Sequence, residues 1–357
     1  MSRIASRMLV AAATAVLAFA PGGSASASAS TVPAVSPSPD MKALLDYLGQ
    51  HHSTGFIVIE DGRVLIDETW PAPETDRVFA NFVHGRTSEG ALLEDVASQQ
   101  KSFIAILFAI AIDKGLIDTD LPASIYLGQG WSKATPEQEA RIRVIDLLTM
   151  STGLDEAFGY TAPAGTVFFY NTPVYAMTKR ILTAATGQSL EAITQVWLTG
   201  PVGMKDTAWR QRPAALAAVG NDTALVTTPS DVARLGQMVL HGGLAEDGAR
   251  VVSDVQLHAM FERSATNPAY GRLWWLNGSD YTVRALAGRR EGQLIPAGPA
   301  DLVGAFGAFD RRLYVAPGRK LVVVRTGAAA DDKDFDQQLW LRLMKVLDGS
   351  PASGSEH

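Results

Sequence analysis

VASQQKSFIAILFAIAIDKG, residues 96–115, sets Ser98 three positions ahead of Lys101 at the mouth of a long apolar run. Side chains at i and i+3 on a helix share a face, with Cβ atoms roughly 5–6 Å apart. A lysine directed into apolar surroundings is costly unless it is paired, neutral or chemically used. Burial disfavours the ammonium form and moves the group towards the free amine that a general base requires. A neutral Lys101 beside Ser98 is therefore a candidate for taking the hydroxyl proton and turning Ser98 into a nucleophile. By itself the pair is a weak motif, because chance matches are common and a helix start with Ser98 near its cap is the plain alternative. What strengthens it is SFIAILFAIAI, which makes this a largely buried helix with its first turn held rigidly.

Working outward, MKALLDYLGQ (41–50) has helical periodicity, and TGFIVIEDGRVLIDETW (54–70) holds two alternating apolar runs around Asp61-Gly62, a strong hairpin signal. From LPASIYLGQGWS (121–132) to about Val226 the chain reads as mostly helical. RVIDLLTMSTG, TPVYAMTKRILTAATG and SLEAITQVWLTG each end at or near glycine, as helix C-termini prefer. YGRLWWLNG (270–278) reads as a strand, RRLYVAPGRKLVVVRTG (311–327) as a hairpin around Pro317-Gly318, and DFDQQLWLRLMKVLDG (334–349) as a closing helix. Strands near both ends with helices between them predict an α+β fold, a sheet assembled from distant segments. The expected organisation is a sheet domain from 41–118 and 227–348, and a mainly helical region over 119–226. A cleft between the two is the expected binding site.

The N-terminus carries Arg3 and Arg7, an apolar run from Met8 to Ala20, and then PGGSASASAS, whose small residues recur as a signal peptidase accepts. Residues 1–29 are thus expected to be a cleaved export signal, 30–40 a Ser/Pro linker and 349–357 a disordered tail. The apolar run is too short to serve comfortably as a membrane anchor, so the expectation is a periplasmic or secreted protein. There is no cysteine, which excludes a disulfide framework. The net charge of −6 without a basic stripe argues against nucleic acid as a partner. The six histidines are scattered, with no metal-ligand spacing, so neither a metal nor another cofactor is expected. A G-x-S-x-G elbow is also missing, which argues against the Ser-His-Asp type of hydrolase.

SQQKSFIAILFAIAIDKGLI, IRVIDLLTMSTGLD, FFYNTPVYAMTKRILTAATGQSLE and PVGMKDTAW resemble, in order and spacing, the serine beta-lactamase and penicillin-binding-protein superfamily. Within it the chain is most similar to the esterase-like and aminohexanoate-dimer (nylon-oligomer) hydrolase-like members, over roughly residues 54–345. The resemblance implies an antiparallel sheet flanked by helices, an all-helical second region, and acyl-enzyme chemistry between them. It implies Ser98 as nucleophile, Lys101 as its partner, and Tyr170 as the tyrosine of a Tyr-Xaa-Asn or Tyr-Xaa-Ser element. On physical grounds a phenol beside Lys101 can relay the proton from Ser98 and return it to a leaving group, while a core aromatic is the plain alternative. The third position of that element is Thr172, with Asn171 displaced by one.

The family's Lys-Thr-Gly-like strand edge corresponds to DLVGAFGAFD (301–310), where no cation precedes the glycine. Gly307 is the expected glycine, which would make the Ala308 N–H an oxyanion donor alongside that of Ser98; Gly304 and Ala305 are the alternative register. Without a cation here a neutral ester or amide is favoured over a beta-lactam or peptidoglycan stem, whose carboxylate needs one, unless Arg311 or Arg312 turns in. Trp274 and Trp275 should point to opposite faces, so that Trp275 lines an acyl pocket or merely packs. The expectation is an exported serine hydrolase of small ester or amide substrates, with a beta-lactamase or D-Ala-D-Ala carboxypeptidase as one alternative and a non-catalytic binding protein as another. The oligomeric state is not legible.

Overall fold

In the computed structural model the described residues are 37–284 and 288–349. The expected export signal, residues 30–36 of the linker and residues 350–357 of the tail lie outside them; Pro39 and Asp40, expected in the linker, open a helix, and Gly349, expected in the tail, ends one.

The architecture follows from pairing of the two ends of the chain. Helix α1 (Pro39–Gln50) leads into β1 (Ser53–Glu60) and β2 (Arg63–Thr69). The turn between the strands has φ of 48° at Asp61 and 76° at Gly62, the two left-handed residues that a tight hairpin of this kind demands. Late in the chain come β10 (Val303–Gly307), β11 (Arg311–Ala316) and β12 (Leu321–Gly327). They join the first hairpin and β7 (Trp275–Leu276) in an antiparallel sheet of order β2-β1-β12-β11-β10-β7. The β1–β12 register sets Phe56 opposite Arg325 and Val58 opposite Val323.

Side chains alternate across each strand, so one face of β11 carries Leu313 and the other Tyr314. Helix α4 (Pro229–Leu240) covers the Leu313 face, where a Cβ at Gly236 would come within 2.8 Å of Leu313 and 2.6 Å of Val322. Helix α5 (Phe335–Gly349) covers the Tyr314 face, its Trp340 ring lying 5.4 Å from that of Tyr314. Phe335 of α5 stacks on Tyr47 of α1 at 5.8 Å, which joins the first and last helices. The result is an α+β fold with an antiparallel sheet flanked by helices.

A second, four-stranded sheet has the order β3-β4-β6-β5, from β3 (Val83–Arg86), β4 (Leu92–Asp95), β5 (Ala208–Gln211) and β6 (Thr223–Thr227). The stretch read as mostly helical up to Val226 therefore contains two strands, whose pairing with β4 brings residues 208–227 against the start of the apolar helix. A separate ribbon pairs β8 (Tyr281–Arg284) with β9 (Gly288–Glu291). The segment YGRLWWLNG forms a strand only at Trp275–Leu276, because Leu273 has φ of 59° and breaks the extended run.

Candidate active site

Ser98 is held by strained backbone. After β4 the chain passes Val96 and enters a tight 3-10 turn at Ala97–Gln99, which continues as α2 (Gln100–Asp113). Ala97 has φ of 50°, a region disfavoured for any residue with a Cβ. Its N–H donates to Asp95 Oδ1 at 2.8 Å, and the fully buried Asp95 is gripped in turn by Arg212 through Nε to Oδ2 at 2.8 Å and Nη2 to Oδ1 at 2.9 Å. This bidentate pair fixes the turn that presents the serine.

Lys101, the second residue of α2 and one turn past Ser98, is 2% exposed, with Nζ 3.0 Å from Ser98 Oγ and 3.5 Å from Thr172 Oγ1. The rings of Tyr170 and Tyr175 flank the amine, with centroids 4.8 and 4.5 Å from Nζ. Among the described residues no carboxylate pairs with it. Burial is the main cause that lowers its pKa from 10.5 to about 7, and the Arg212 charge pushes the same way.

Helix α3 (Thr172–Thr186) supplies the opposite wall. Asn171 is its N-cap: the side chain accepts from Val174 N at 3.1 Å and donates to Leu154 O at 2.9 Å, so this buried amide is committed to structure. Its neighbours Tyr170 and Thr172 are left facing Lys101. Burial pushes the Tyr170 phenol up to about 12, outweighing the lowering influence of the Ser98 hydroxyl and of the Arg312 charge. At neutral pH Tyr170 is thus a protonated phenol beside a lysine poised to titrate.

These groups open on a cavity of about 730 Å³, lined among others by Ala97, Ser98, Tyr170, Thr172, Arg212 and Ala308. Apolar surface comes from Phe82, Phe158, Leu216 and Val219, and one carboxylate, Glu156, reaches it. Gly307 has its Cα facing the serine turn: a Cβ there would stand 2.3 Å from Val96 O and 3.3 Å from Gln99 N. A Cβ on Gly304 would instead strike the Phe306 ring. Gly307 is therefore the glycine beside Ser98, and Ala308 the residue that reaches the cavity.

One expectation is corrected and one open alternative is decided. Trp275 is not among the residues lining the cavity; it stacks behind Tyr170 at 5.8 Å and on Phe306 at 6.2 Å, and so supports the phenol from the rear. Arg311 and Arg312 do not turn in: Arg311 is buried against Glu94 at 3.0 Å, and Arg312 donates from Nε to Asp336 Oδ1 at 2.7 Å. The cation that does reach the cavity, Arg212, was not singled out by sequence, because its partner Asp95 is remote in the chain and belongs to no motif. Also missed was the polar cluster behind Lys101. Tyr175 donates to Gln100 Oε1 at 3.1 Å, which also accepts from Asn221 Nδ2 at 3.2 Å, while Lys179 donates to Asn221 Oδ1 at 2.7 Å. Burial holds Lys179 well below the usual lysine range.

A flanked antiparallel sheet with a Ser–Lys–Tyr constellation at its edge defines a class in which the beta-lactamase fold carries hydrolytic serine chemistry. Residues 41–346 match the Beta-lactamase family, and the chain belongs to it. Solved structures agree on the fold. A protein from Bacteroides dorei DSM 17855 provisionally described as a beta-lactamase superposes with a TM-score of 0.65 at 15% identity, covering 87% of this chain and 98% of its own. A protein from Bacillus anthracis provisionally described as a 6-aminohexanoate-dimer hydrolase gives 0.64 at 16% identity, with 87% and 83% covered. A family VIII carboxylesterase gives 0.62 at 14%, with 86% and 96% covered. No curated relative matches in sequence.

Proposed function

We propose that the protein is a serine hydrolase that cleaves small ester or amide substrates through an acyl-Ser98 intermediate. The observation that carries this reading is the 3.0 Å contact between Ser98 Oγ and a buried Lys101, without a carboxylate partner among the described residues, whose pKa is lowered to about 7. In its neutral form Lys101 accepts the Ser98 proton as Oγ attacks the carbonyl carbon. Tyr170 joins the two groups and passes a proton to the departing alcohol or amine. The Ala308 and Ser98 N–H groups receive the developing oxyanion, and Thr172 hydrogen-bonds the substrate. Water then attacks the acyl-enzyme, giving up its proton to the same Lys101–Tyr170 unit and releasing the acid and the free serine.

Neighbours of this fold are named for esters, amide dimers and beta-lactams alike, so the fold does not select the substrate. The site favours a neutral one. Its walls are largely apolar, Arg311 and Arg312 are committed elsewhere, and the Arg212 charge is matched by Asp95. A beta-lactamase or carboxypeptidase reading draws support from one feature, that Arg212 reaches the cavity. Turnover of a nitrophenyl ester well above that of a chromogenic cephalosporin is the expected result, and the reverse ranking would move the assignment to beta-lactams. We also propose, from the N-terminal pattern alone, that the enzyme acts after export.

A further inference from the structure

We propose that Arg312, assisted by Arg311 and Arg325, is a positioning residue that fixes the peptide plane between Gly307 and Ala308 and so aims the Ala308 N–H at the substrate's oxyanion. The inference rests on the acyl-Ser98 reading above and adds the residues that hold its oxyanion donor in place.

Three consecutive carbonyls, from the last residue of β10 onward, are each bound by a different buried arginine. Gly307 O accepts from Arg312 Nη1 at 2.9 Å, Ala308 O from Arg311 Nη1 at 3.2 Å, and Phe309 O from Arg325 Nη1 at 2.6 Å. Every arginine is anchored in turn from a distant segment. Arg312 donates to Asp336 Oδ1 and Oδ2 at 2.7 and 3.1 Å and to Asp310 Oδ1 at 2.8 Å. Arg311 pairs with Glu94 at 3.0 Å. Arg325 donates to Ser53 Oγ at 3.0 Å and to His51 O at 2.7 Å.

A trans peptide is planar, with its C=O and the following N–H pointing in opposite directions. Holding Gly307 O towards Arg312 therefore fixes the Ala308 N–H on the other side of the strand edge. The same segment is pressed against the serine turn, where a Cβ on Gly307 would meet Val96 O at 2.3 Å. Left to itself this turn would not keep its shape: Phe309 and Asp310 have φ of 62° and 55°, left-handed values that a bulky residue such as phenylalanine rarely adopts. Such conformations persist when the surroundings over-determine them, and they gather at functional sites. Buried ion pairs are poor sources of stability, since well-packed apolar residues of equal volume often do as well. Two ion-paired arginines and a third held by neutral acceptors, all converging on one loop beside the serine, serve orientation.

The test is Arg312→Lys in the full chain. Lysine keeps the charge for Asp336 but is a compact point donor that cannot also bridge to Gly307 O. Complete loss of one oxyanion donor costs about 10²–10³ in kcat, so misorientation should lower kcat by roughly 10–100-fold with KM within about twofold. A boronic acid, whose adduct with the serine is tetrahedral and anionic, should bind more weakly by the same factor, while the product alcohol binds as before. Asp310→Asn removes the charge from one anchor of Arg312, leaving a weaker neutral acceptor, and is compatible with the left-handed backbone. It should show the same pattern at roughly two- to tenfold, and it decides the matter if Arg312→Lys does not fold. A folded Arg312→Lys protein with normal kcat, or losses that fall on KM or on alcohol and boronate binding alike, would overturn the proposal. Wild-type turnover abolished by Ser98→Ala is measured alongside: its absence would strike the hydrolase reading itself, whereas its presence with unaffected Arg312 and Asp310 variants strikes only the clamp.

Discussion

Replacing Thr172 by aspartate should move the pH dependence of the enzyme. Thr172 Oγ1 stands 3.5 Å from Lys101 Nζ, so the new carboxylate would sit at about that distance from the amine. Burial lowers the lysine from 10.5 to about 7, which leaves roughly half of it neutral at pH 7 against about three parts in 10⁴ for an ordinary lysine, a gain of about 10³ in available base. An anion at roughly 4 Å attracts the ammonium by about 4 kcal/mol at an effective dielectric constant near 20, equivalent to about 3 pK units. Water in the cavity trims this to about 2–3 units. The sign is fixed, because an adjacent negative charge favours the protonated lysine and the base appears only at higher pH. The acid limb of kcat/KM, which reports the free enzyme, should therefore sit near 7 in the wild type and rise to about 9–10 in Thr172→Asp. At pH 7 the variant should be slower by about 10²–10³-fold and should recover in alkali. Thr172→Val controls for the lost hydroxyl and should keep its limb near 7. A neutral alkyl ester followed in a pH-stat from about pH 5 to 10 makes the comparison. A folded Thr172→Asp enzyme with an unmoved limb would refute Lys101 as the base.

Lys101→Arg keeps a positive charge but offers no usable base, so activity should fall by orders of magnitude with the fold retained. Tyr170→Phe should slow acylation by roughly 10²–10⁴, and under the proposed mechanism, in which the two groups act as one unit, the double variant should be hardly worse than the poorer single one in a double-mutant cycle. Gly307→Ala would set a Cβ 2.3 Å from Val96 O, so the strand edge must move away from the serine, and both kcat and the thermal midpoint should drop. N-terminal sequencing of exported protein should find a start between about Ser26 and Thr31, the small-residue run a signal peptidase favours, and full-length protein confined to the cytoplasm would contradict export.

Local signals carried most of the fold. The Asp61-Gly62 hairpin was legible because its two residues are the ones that accept left-handed backbone, and α3 because Gly187 ends it with φ of 65°. Short strands were not legible. Strands β5 and β6 are four and five residues long, too brief for an alternating pattern to emerge from the helical sequence around them. The strand expected through YGRLWWLNG shrank because a single left-handed Leu273 overrides β propensity.

At the site, the spacing of Ser98 and Lys101 could be read from sequence because helix geometry is local. Whether Lys101 is neutral could not, since that depends on Tyr170, Tyr175 and Arg212, which arrive from remote segments. The choice between Gly304 and Gly307 likewise needed packing against Val96. The directions of Arg311 and Arg312 were set by Glu94 on β4 and Asp336 on α5, both outside the strand that carries the arginines, and adjacent arginines in a strand give no hint of such partners.

The central claim is that Ser98 forms the covalent intermediate. Intact-mass measurement after exposure to a fluorophosphonate tests it most directly. A single adduct that maps to the peptide containing Ser98 and disappears in a folded Ser98→Ala protein is the predicted result. An adduct that survives the substitution, or its absence from active wild-type protein, would contradict the account.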